Sequence, residues 1–361
     1  MSGKVTQSRE GRADGVGLRC RSVIQILEPL LDEAGAERMV ELWHGFGTYG
    51  QYSNEGFDTG FAPELAQRYD AAVNFVRTGG RFGRTDEPPH LRAARTNYFR
   101  ETYSYGEDVF AEGIEAFRDH ERLRSAAVEL HGRPVIVPAI VYANMLLPGQ
   151  ELAVHTDVPE FRGANRKVVP QWLLVVMRHS ELFERWRMPI ATGIAYFGEA
   201  QGGELAYYPK GADGPAETYA PAHNTAALLD TDTIFHGVDR VAGDDGVLSR
   251  LVPGMELVHE GNRRWSLRSP AGDVVQDFGS DDLRYSVSWK AYCFADDAER
   301  RAWSDHSDDL SLEFILTTLE SDLRRRGRLT AGADRPSDAE LGKTLIDEYV
   351  RFPAADGTPA R

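Results

Sequence analysis

Helical spacing of apolar residues marks both ends of the chain. At 22–43, 64–77 and 109–130, apolar positions recur every three to four residues, as they do on the buried face of a helix. The same spacing returns after residue 296. We therefore predict a helical N-terminal support at 18–133 and a helical C-terminal extension at 296–361.

The middle of the chain, at 134–295, has the pattern of a β-rich core. Short runs of alternating or β-branched residues are separated by Gly, Pro and Asp, which predicts about ten short strands. The clearest runs are 139–147, 151–155, 172–178, 192–197, 204–208, 226–229, 233–238 and 284–294. Strands of this length and spacing are typical of a sandwich or barrel. The fold class is thus a mainly β core with helical flanks (α+β).

The domain organisation follows from these patterns. Residues 18–361 are expected to form one structural unit, in which an insertion at about 243–282 interrupts the core. The stretch 1–17 is rich in Gly, Ser and charge and has few apolar residues, so we expect a mobile leader there.

Composition narrows the function classes. With 41 Lys and Arg against 56 Asp and Glu, the net charge is −15, which disfavours a phosphate backbone as partner. The longest apolar run ends at Arg178, well short of the roughly 20 residues that span a bilayer. Two cysteines and no signal-like start predict a cytoplasmic protein. Its oligomeric state stays open.

A candidate metal site begins at His155 and Asp157. They stand two residues apart where the predicted strand 151–155 ends, so both side chains leave on the same side. Two other stretches have similar spacing. His306-Ser307-Asp308 lies in an acidic helical segment with no later histidine, and His179-Ser180-Glu181 precedes an expected helix at 181–187. We favour His155 and Asp157 as ligands.

The second imidazole is expected to come from a later strand. His236 lies in the β-type run 233–238, whereas His223 lies in a loop and His259 in a hairpin, where surface histidines are common. Two imidazoles and one carboxylate form the open donor set of non-haem iron(II) oxygenases. His155, Asp157 and His236 are therefore the predicted metal ligands and catalytic centre.

Four landmarks then occur in a characteristic order. They are LLPGQELAVHTD at 146–157, IAYF at 194–197, GGEL at 202–205, and the run 226–229 followed by HGV at 236–238. In this order they resemble the iron(II)/2-oxoglutarate-dependent dioxygenase superfamily, particularly its prolyl-hydroxylase-like branch. The resemblance covers roughly 139–294. It implies a double-stranded β-helix, the jelly roll of cupin-like proteins, with iron at one mouth.

The resemblance also implies a reaction. Fe(II), O2 and 2-oxoglutarate as co-substrate would hydroxylate an unactivated C–H bond, with release of succinate and CO2. Desaturation and ring formation stay open as outcomes. Asp157 argues against halogenation, because halogenating relatives carry a small residue in its place.

Binding of 2-oxoglutarate requires a cation for the far carboxylate, since a buried unpaired carboxylate is costly. Arg284-Tyr285-Ser286 matches the R-x-S pair that many members use, although the insertion separates it unusually far from His236. Arg240 is the rival and Lys290 a third candidate. Tyr142 and Asn144, on one face of an early strand, are candidates for a further hydrogen bond.

The substrate is the least determined feature. The loop 159–170 carries Arg162 and Arg166, and Trp172 follows it, so these three residues are candidate substrate contacts. A small molecule, amino-acid-like or a natural product, is the favoured substrate. A peptide or protein side chain, hydroxylated as by a prolyl hydroxylase, is the alternative. A non-catalytic, cupin-like metal-binding protein is the second alternative.

Overall fold

The computed structural model describes residues 23–52, 74, 75, 78–330, 332 and 334–355. The expected mobile leader at 1–17 lies outside the described residues. So does the expected helix at 64–77, apart from residues 74 and 75.

Strands dominate the described part of the chain, with helices around them. The strands are β1 (Ile24–Leu27), β2 (Thr48–Gly50), β3 (Phe99–Tyr105), β4 (Asp108–Val109), β5 (Val135–Leu146), β6 (Leu152–His155), β7 (Glu160–Phe161), β8 (Arg187–Met188), β9 (Ile190–Phe197), β10 (Leu205–Tyr207), β11 (Glu217–Tyr219), β12 (Thr225–Leu229), β13 (His236–Val238), β14 (Glu256–Gly261), β15 (Arg264–Arg268), β16 (Val274–Gly279) and β17 (Arg284–Phe294). The helices are α1 (Glu33–Phe46), α2 (Pro89–Arg95), α3 (Glu115–Arg118), α4 (Glu121–His131), α5 (Gln171–Ser180), α6 (Asp297–Ser304), α7 (Leu312–Arg325) and α8 (Asp338–Tyr349).

Two antiparallel sheets carry the candidate site. A seven-stranded sheet has the order β1-β12-β9-β17-β5-β3-β4, and a four-stranded sheet has the order β11-β10-β13-β6. A second four-stranded sheet, β16-β15-β14-β2, and the pair β7-β8 complete the β structure among the described residues. The predicted class, mainly β with helices, is confirmed.

Strand β17 shows how the large sheet divides its two faces. Tyr285, Val287, Trp289 and Ala291 are at most 2% exposed and join the main hydrophobic core, together with residues of α1 and α4. The intervening polar residues point to the opposite face, because side chains alternate along a strand. That face looks toward the four-stranded sheet of β6 and β13, and the polar site lies between the two.

The run at 172–178 was predicted to be a strand and is a helix, α5. A continuous apolar run without alternation does not distinguish a buried strand from a buried helix. Here Leu173–Met177 is buried against the C-terminal helices in a second hydrophobic cluster, and Pro170 stands at the N-cap. The helix expected at 181–187 is also wrong, since this stretch forms a 3-10 turn and enters β8.

The N-terminal segment is less helical than predicted. The helix expected at 22–43 begins only at Glu33, because the residues before it form β1, which pairs with β12 from Ile24↔Leu229 to Leu27↔Ala226. At 109–130, the end of β4 precedes the short α3 and then α4. Strands β1, β3 and β4 extend the large sheet, so this segment is part of the β core and not only its support.

The stretch at about 243–282, which is predicted to be an insertion, contains three strands. Strands β14, β15 and β16 pair in sequence, and β2 from the N-terminal segment adds to the edge of β14. Their apolar face joins the main core: Trp43 stacks on Trp265 of the insertion at 5.5 Å and on Tyr285 at 4.3 Å. The insertion therefore packs behind β17. None of the helices in the described residues is long and apolar enough to span a bilayer.

Candidate metal centre and active site

Strand pairing brings the predicted ligands together. β6 and β13 are antiparallel neighbours with His155 directly opposite His236, so the two imidazoles leave the sheet side by side. Asp157 follows two residues after His155, and its backbone N–H donates to the carbonyl of Thr231 at 2.8 Å. One donor atom from each of the three side chains lies within 4.8 Å of the others.

Both imidazoles are held in the tautomer that a metal requires. Nδ1 of His155 is 2.7 Å from the carbonyl oxygen of Ala153, and Nδ1 of His236 is 3.0 Å from that of Ile234. A carbonyl oxygen only accepts, so each Nδ1 carries the proton and each Nε2 presents a lone pair. The Nε2 atoms point toward Asp157, at 3.5 Å from Oδ1 for His155 and 4.0 Å from Oδ2 for His236.

Burial and neighbouring charges favour an ionised Asp157 and a neutral His236. Burial alone would raise the pKa of Asp157, but Lys290, with Nζ 2.7 Å from Oδ2, and the two histidines hold that pKa well below its usual range. Burial, and then His155, lower the pKa of His236 to about 3. These are the protonation states in which a carboxylate and an imidazole bind a divalent cation.

The other histidines considered from the sequence lie elsewhere. His306 is exposed and contacts Asp309, and His179 lies against Phe235 at 5.3 Å between ring centroids. His223 accepts from the backbone of Gly198, and His259 stacks on His44 in the insertion core. Among the described residues, only His155, Asp157 and His236 form a cluster of three or more potential ligands.

A small cavity of about 80 Å³ adjoins this cluster between the two sheets. Its lining includes the three clustered side chains together with Asn144, Arg284, Ser286 and Ser288. β17 lies beside β5 with Ser286 opposite Asn144, which places these polar side chains on one face. The cavity thus joins the candidate metal centre to the predicted co-substrate residues.

The burial and hydrogen bonds of Arg284 suit its guanidinium to bind an anion. It is 3% exposed, its Nε donates to the carbonyl of Gly203 at 2.7 Å, and one terminal nitrogen donates to Ser286 Oγ at 3.3 Å. The other terminal nitrogen, Nη2, is buried with no hydrogen-bond partner among the described residues, and the same holds for Oδ1 of Asn144. Burial lowers the pKa of Arg284, a penalty that a bound carboxylate would offset.

The rival Arg240 has different surroundings. Its guanidinium donates to Glu151 at 3.0 Å and lies 3.8 Å from Glu87. It lines neither the small cavity nor the larger one described next. Lys290, the third candidate, contacts Asp157. The structure therefore brings Arg284, and not its rivals, to the small cavity as a cation without a carboxylate partner among the described residues.

A larger cavity of about 290 Å³ opens from the same centre. Tyr98, Arg100, Tyr142, Leu152, His155 and Asp157 line both cavities and so define their junction. Its outer wall is mostly apolar and aromatic, with Val137, Ile140, Ile190, Tyr292 and Trp303. This volume lies at the lower end of the roughly 300–1,000 Å³ typical of small-molecule sites.

Of the three predicted substrate contacts, only Arg166 lines this cavity. Arg162 is buried elsewhere and forms a two-point ion pair with Asp308, at 2.7 and 3.0 Å. Trp172 lies on α5, and its ring packs against Gly342 of α8. Arg162 and Trp172 line neither cavity, because the chain turns away there toward the C-terminal helices.

Sequence reasoning missed Arg100. It lies on β3, opposite Asn144 of β5, inside a segment interpreted as helical. The available signal was the alternation of Phe99, Tyr103 and Tyr105 with polar residues, which is typical of a half-buried strand.

The side chains of this site fit both an iron(II) ion and a carboxylate held away from the metal. Two neutral imidazoles and a carboxylate, with an adjoining open cavity, match the donor set of an iron(II) site that retains free coordination positions. The unpaired Nη2 of Arg284 beside Ser286 matches the needs of a carboxylate held away from the metal.

Neither the scan against protein-family models nor the search of curated proteins found a match. Among solved structures, the chain is similar to a prolyl-4-hydroxylase of Pseudomonas putida, at 11% identity and a TM-score of 0.35, over 75% of this chain and 92% of that chain. It is similar to HygX of Streptomyces hygroscopicus with nickel, 2-oxoglutarate and hygromycin B bound, at 9% identity and a TM-score of 0.38, over 76% and 84%.

A third similar structure is an oxidoreductase of the 2OG-Fe(II) oxygenase family from Burkholderia pseudomallei. The identity is 14% and the TM-score 0.31, over 54% of this chain and 66% of that chain. The 2OG-Fe(II) oxygenase family, which the sequence resembles, is therefore represented among the solved structures that are similar to this chain.

Proposed function

We propose that this chain is an Fe(II)- and 2-oxoglutarate-dependent dioxygenase that hydroxylates a C–H bond of a small molecule. The observation that carries the proposal is the small cavity itself. At one end it has two imidazoles in the metal-binding tautomer beside a carboxylate, and in its wall a buried arginine with an unpaired N–H group.

Each side chain has a role in this proposal. His155, Asp157 and His236 hold the metal, and Lys290 keeps Asp157 ionised and oriented through its 2.7 Å contact. Arg284 and Ser286 bind the far carboxylate of 2-oxoglutarate, with Asn144 as a further partner. Tyr142 borders the junction of the cavities. When bound, Fe(II) and 2-oxoglutarate together activate O2 for C–H hydroxylation, with succinate and CO2 as by-products.

We also propose that the two sheets around the site form a double-stranded β-helix. Support comes from their facing arrangement: the small cavity is lined by β3, β5, β9 and β17 of one sheet and by β6, β10 and β13 of the other. Tyr196 of the large sheet and Leu205 of the small one also share a hydrophobic cluster. The metal ligands lie at the edge of this enclosed space.

A small-molecule substrate is favoured over a peptide by the walls of the larger cavity. They come from distant parts of the chain, including the turn at Gly106, the loop that holds Arg166, and Trp303 of α6. Such walls enclose a ligand on several sides, whereas a peptide substrate needs a groove that is open at both ends.

The test is oxygen-dependent formation of succinate from 2-oxoglutarate by the purified chain with Fe(II). We expect His155→Ala and Asp157→Ala each to lower this rate at least 100-fold. His306→Ala removes the exposed histidine of the stretch His306-Ser307-Asp308 and should leave the rate of succinate formation unchanged. Absence of succinate from the unmodified chain under every condition would favour the metal-binding alternative, and activity retained in both alanine variants would contradict the assigned ligands.

A further inference from the structure

Arg100 is the one residue at the junction of the two cavities whose charge the proposed mechanism does not use. Its guanidinium carbon lies 3.6 Å from the ring centre of Tyr142 and 4.9 Å from that of Tyr52. Among the described residues, the groups that act most strongly on it are tyrosines, and no carboxylate forms an ion pair with it.

This arrangement differs from that of the other inward-facing arginines. Arg95 is paired with Glu87, Arg162 with Asp308 and Arg240 with Glu151. The Arg100 guanidinium lies over the rings of Tyr142 and Tyr52. A guanidinium that lies over a ring can still form hydrogen bonds through its in-plane N–H groups. A guanidinium held in this way is a preorganised partner for a planar oxyanion.

The rest of the larger cavity supports an anion at this position. Lys290 is neutralised by Asp157, and Glu160 accepts a hydrogen bond from Tyr292 at 2.7 Å. Because the whole chain has a net charge of −15, its general field repels anions, and an anionic ligand needs a local cation. Arg100 supplies that cation beside the metal ligands, while the apolar outer wall fits an uncharged body.

We infer that Arg100 binds the carboxylate of the substrate, and that the substrate is a small carboxylic acid with an apolar or aromatic body. The inference rests on the proposed function for its reaction, in which one oxygen atom of O2 enters the C–H bond and the other enters succinate. The anion site itself is a property of the cavity and can be tested without turnover.

The experiment uses the full chain loaded with Ni(II), which prevents turnover, and calorimetric titration with and without 2-oxoglutarate. The probes are benzoate, phenylacetate and 3-phenylpropanoate, each paired with its uncharged amide. For at least one pair, the carboxylate should bind at least tenfold more tightly than the amide. Arg100→Gln should reduce that preference to about one without changing the affinity for the amide or for 2-oxoglutarate.

Two further variants keep the test decisive. Arg300→Gln removes a cation whose ion pair is exposed and which lines neither cavity, so it should preserve the preference. Arg100→Lys keeps the charge but loses the planar fork, so it should retain a reduced preference of roughly two- to tenfold. It also serves as the folded variant if Arg100→Gln does not fold.

Three outcomes would overturn the inference. The first is equal binding of every acid and its amide. The second is a preference for the acid that persists in Arg100→Gln or is unchanged in Arg100→Lys. The third is a loss of 2-oxoglutarate binding in Arg100→Gln that parallels the loss of probe binding. A chain that never binds 2-oxoglutarate yet shows the Arg100-dependent preference would refute the proposed function and support the anion site.

Discussion

Gly203 offers a way to displace Arg284 without changing any charge. Its φ is +67°, and a Cβ built there would lie 2.4 Å from Cδ and 2.8 Å from Nε of Arg284. Both atoms belong to the middle of the side chain, so Gly203→Ala forces the guanidinium out of its position. The hydrogen bond from Nε to the Gly203 carbonyl would be lost with it.

The matched control is Gly211→Ala, beyond the other end of β10. Its φ is +74°, but no atom of the described residues lies within 4 Å of the added methyl group. Both variants carry the cost of a left-handed alanine, about 1–2 kcal/mol of stability. Only Gly203→Ala also loses a hydrogen bond between a charged donor and 2-oxoglutarate, worth about 1.5–3 kcal/mol. The expected rise in the Kd of 2-oxoglutarate is therefore roughly 10- to 150-fold.

The assay is calorimetric titration of 2-oxoglutarate into the Ni(II)-loaded proteins, together with urea unfolding of each variant. A lower unfolding free energy for Gly203→Ala than for Gly211→Ala would show that the clash with Arg284 adds to the shared backbone cost. If Gly203→Ala then binds 2-oxoglutarate within threefold of Gly211→Ala, Arg284 does not hold the co-substrate and the assignment fails.

Three other variants test Lys290 beside the metal ligands and two residues away from the cavities, Arg162 and His44. Lys290→Met leaves the buried carboxylate of Asp157 without its cation, so the free energy of unfolding of the metal-free protein should fall by about 3 kcal/mol. Ni(II) should then raise the melting temperature of this variant more than that of the unmodified chain, and an equal rise would contradict the prediction. Arg162→Ala breaks the ion pair with Asp308 and should lower the free energy of urea unfolding by about 3 kcal/mol. Arg300→Ala, whose ion pair is exposed, should lower it by less than about 1 kcal/mol. Equal losses would refute the role of the Arg162 pair. Burial and neighbouring charges lower the pKa of His44 from 6.5 to about 4, so in this pH window the unfolded chain takes up a proton that the folded chain does not. The free energy of unfolding should therefore rise from pH 4 to pH 6.5, and it should rise less steeply in His44→Gln. Equal slopes for His44→Gln and the unmodified chain would count against this.

The parts of the site that could be predicted from sequence are those set by strand alternation. His155 and Asp157 stand two apart, as do Arg284 and Ser286, and a period of two places each pair on one side of its strand. Both pairs do line the small cavity. The prediction needed only local geometry, because each pair lies on or directly after a single strand.

The parts that could not be predicted depend on partners far away in the chain. The apolar run of α5 is compatible with strand or helix, and its packing against α7 and α8 decides between them. β1 is a strand because β12 offers it an edge, which no local pattern reveals. Arg100 reaches the site only because β3 lies beside β5, so its position required the sheet order.

The sheet of the insertion has a consequence for redesign of this chain. Through Trp265 and Trp43 it supports Tyr285, whose neighbours Arg284 and Ser286 face the opposite side of the same strand. Replacing this sheet with a tight turn would remove the side chains that pack behind β17 and would leave β2 without its paired strand β14. Protein engineers who want to add a new segment should therefore choose the turn at Gly261 and Asn262. In the described part of the chain, no atom lies within 4 Å of a Cβ added to this glycine.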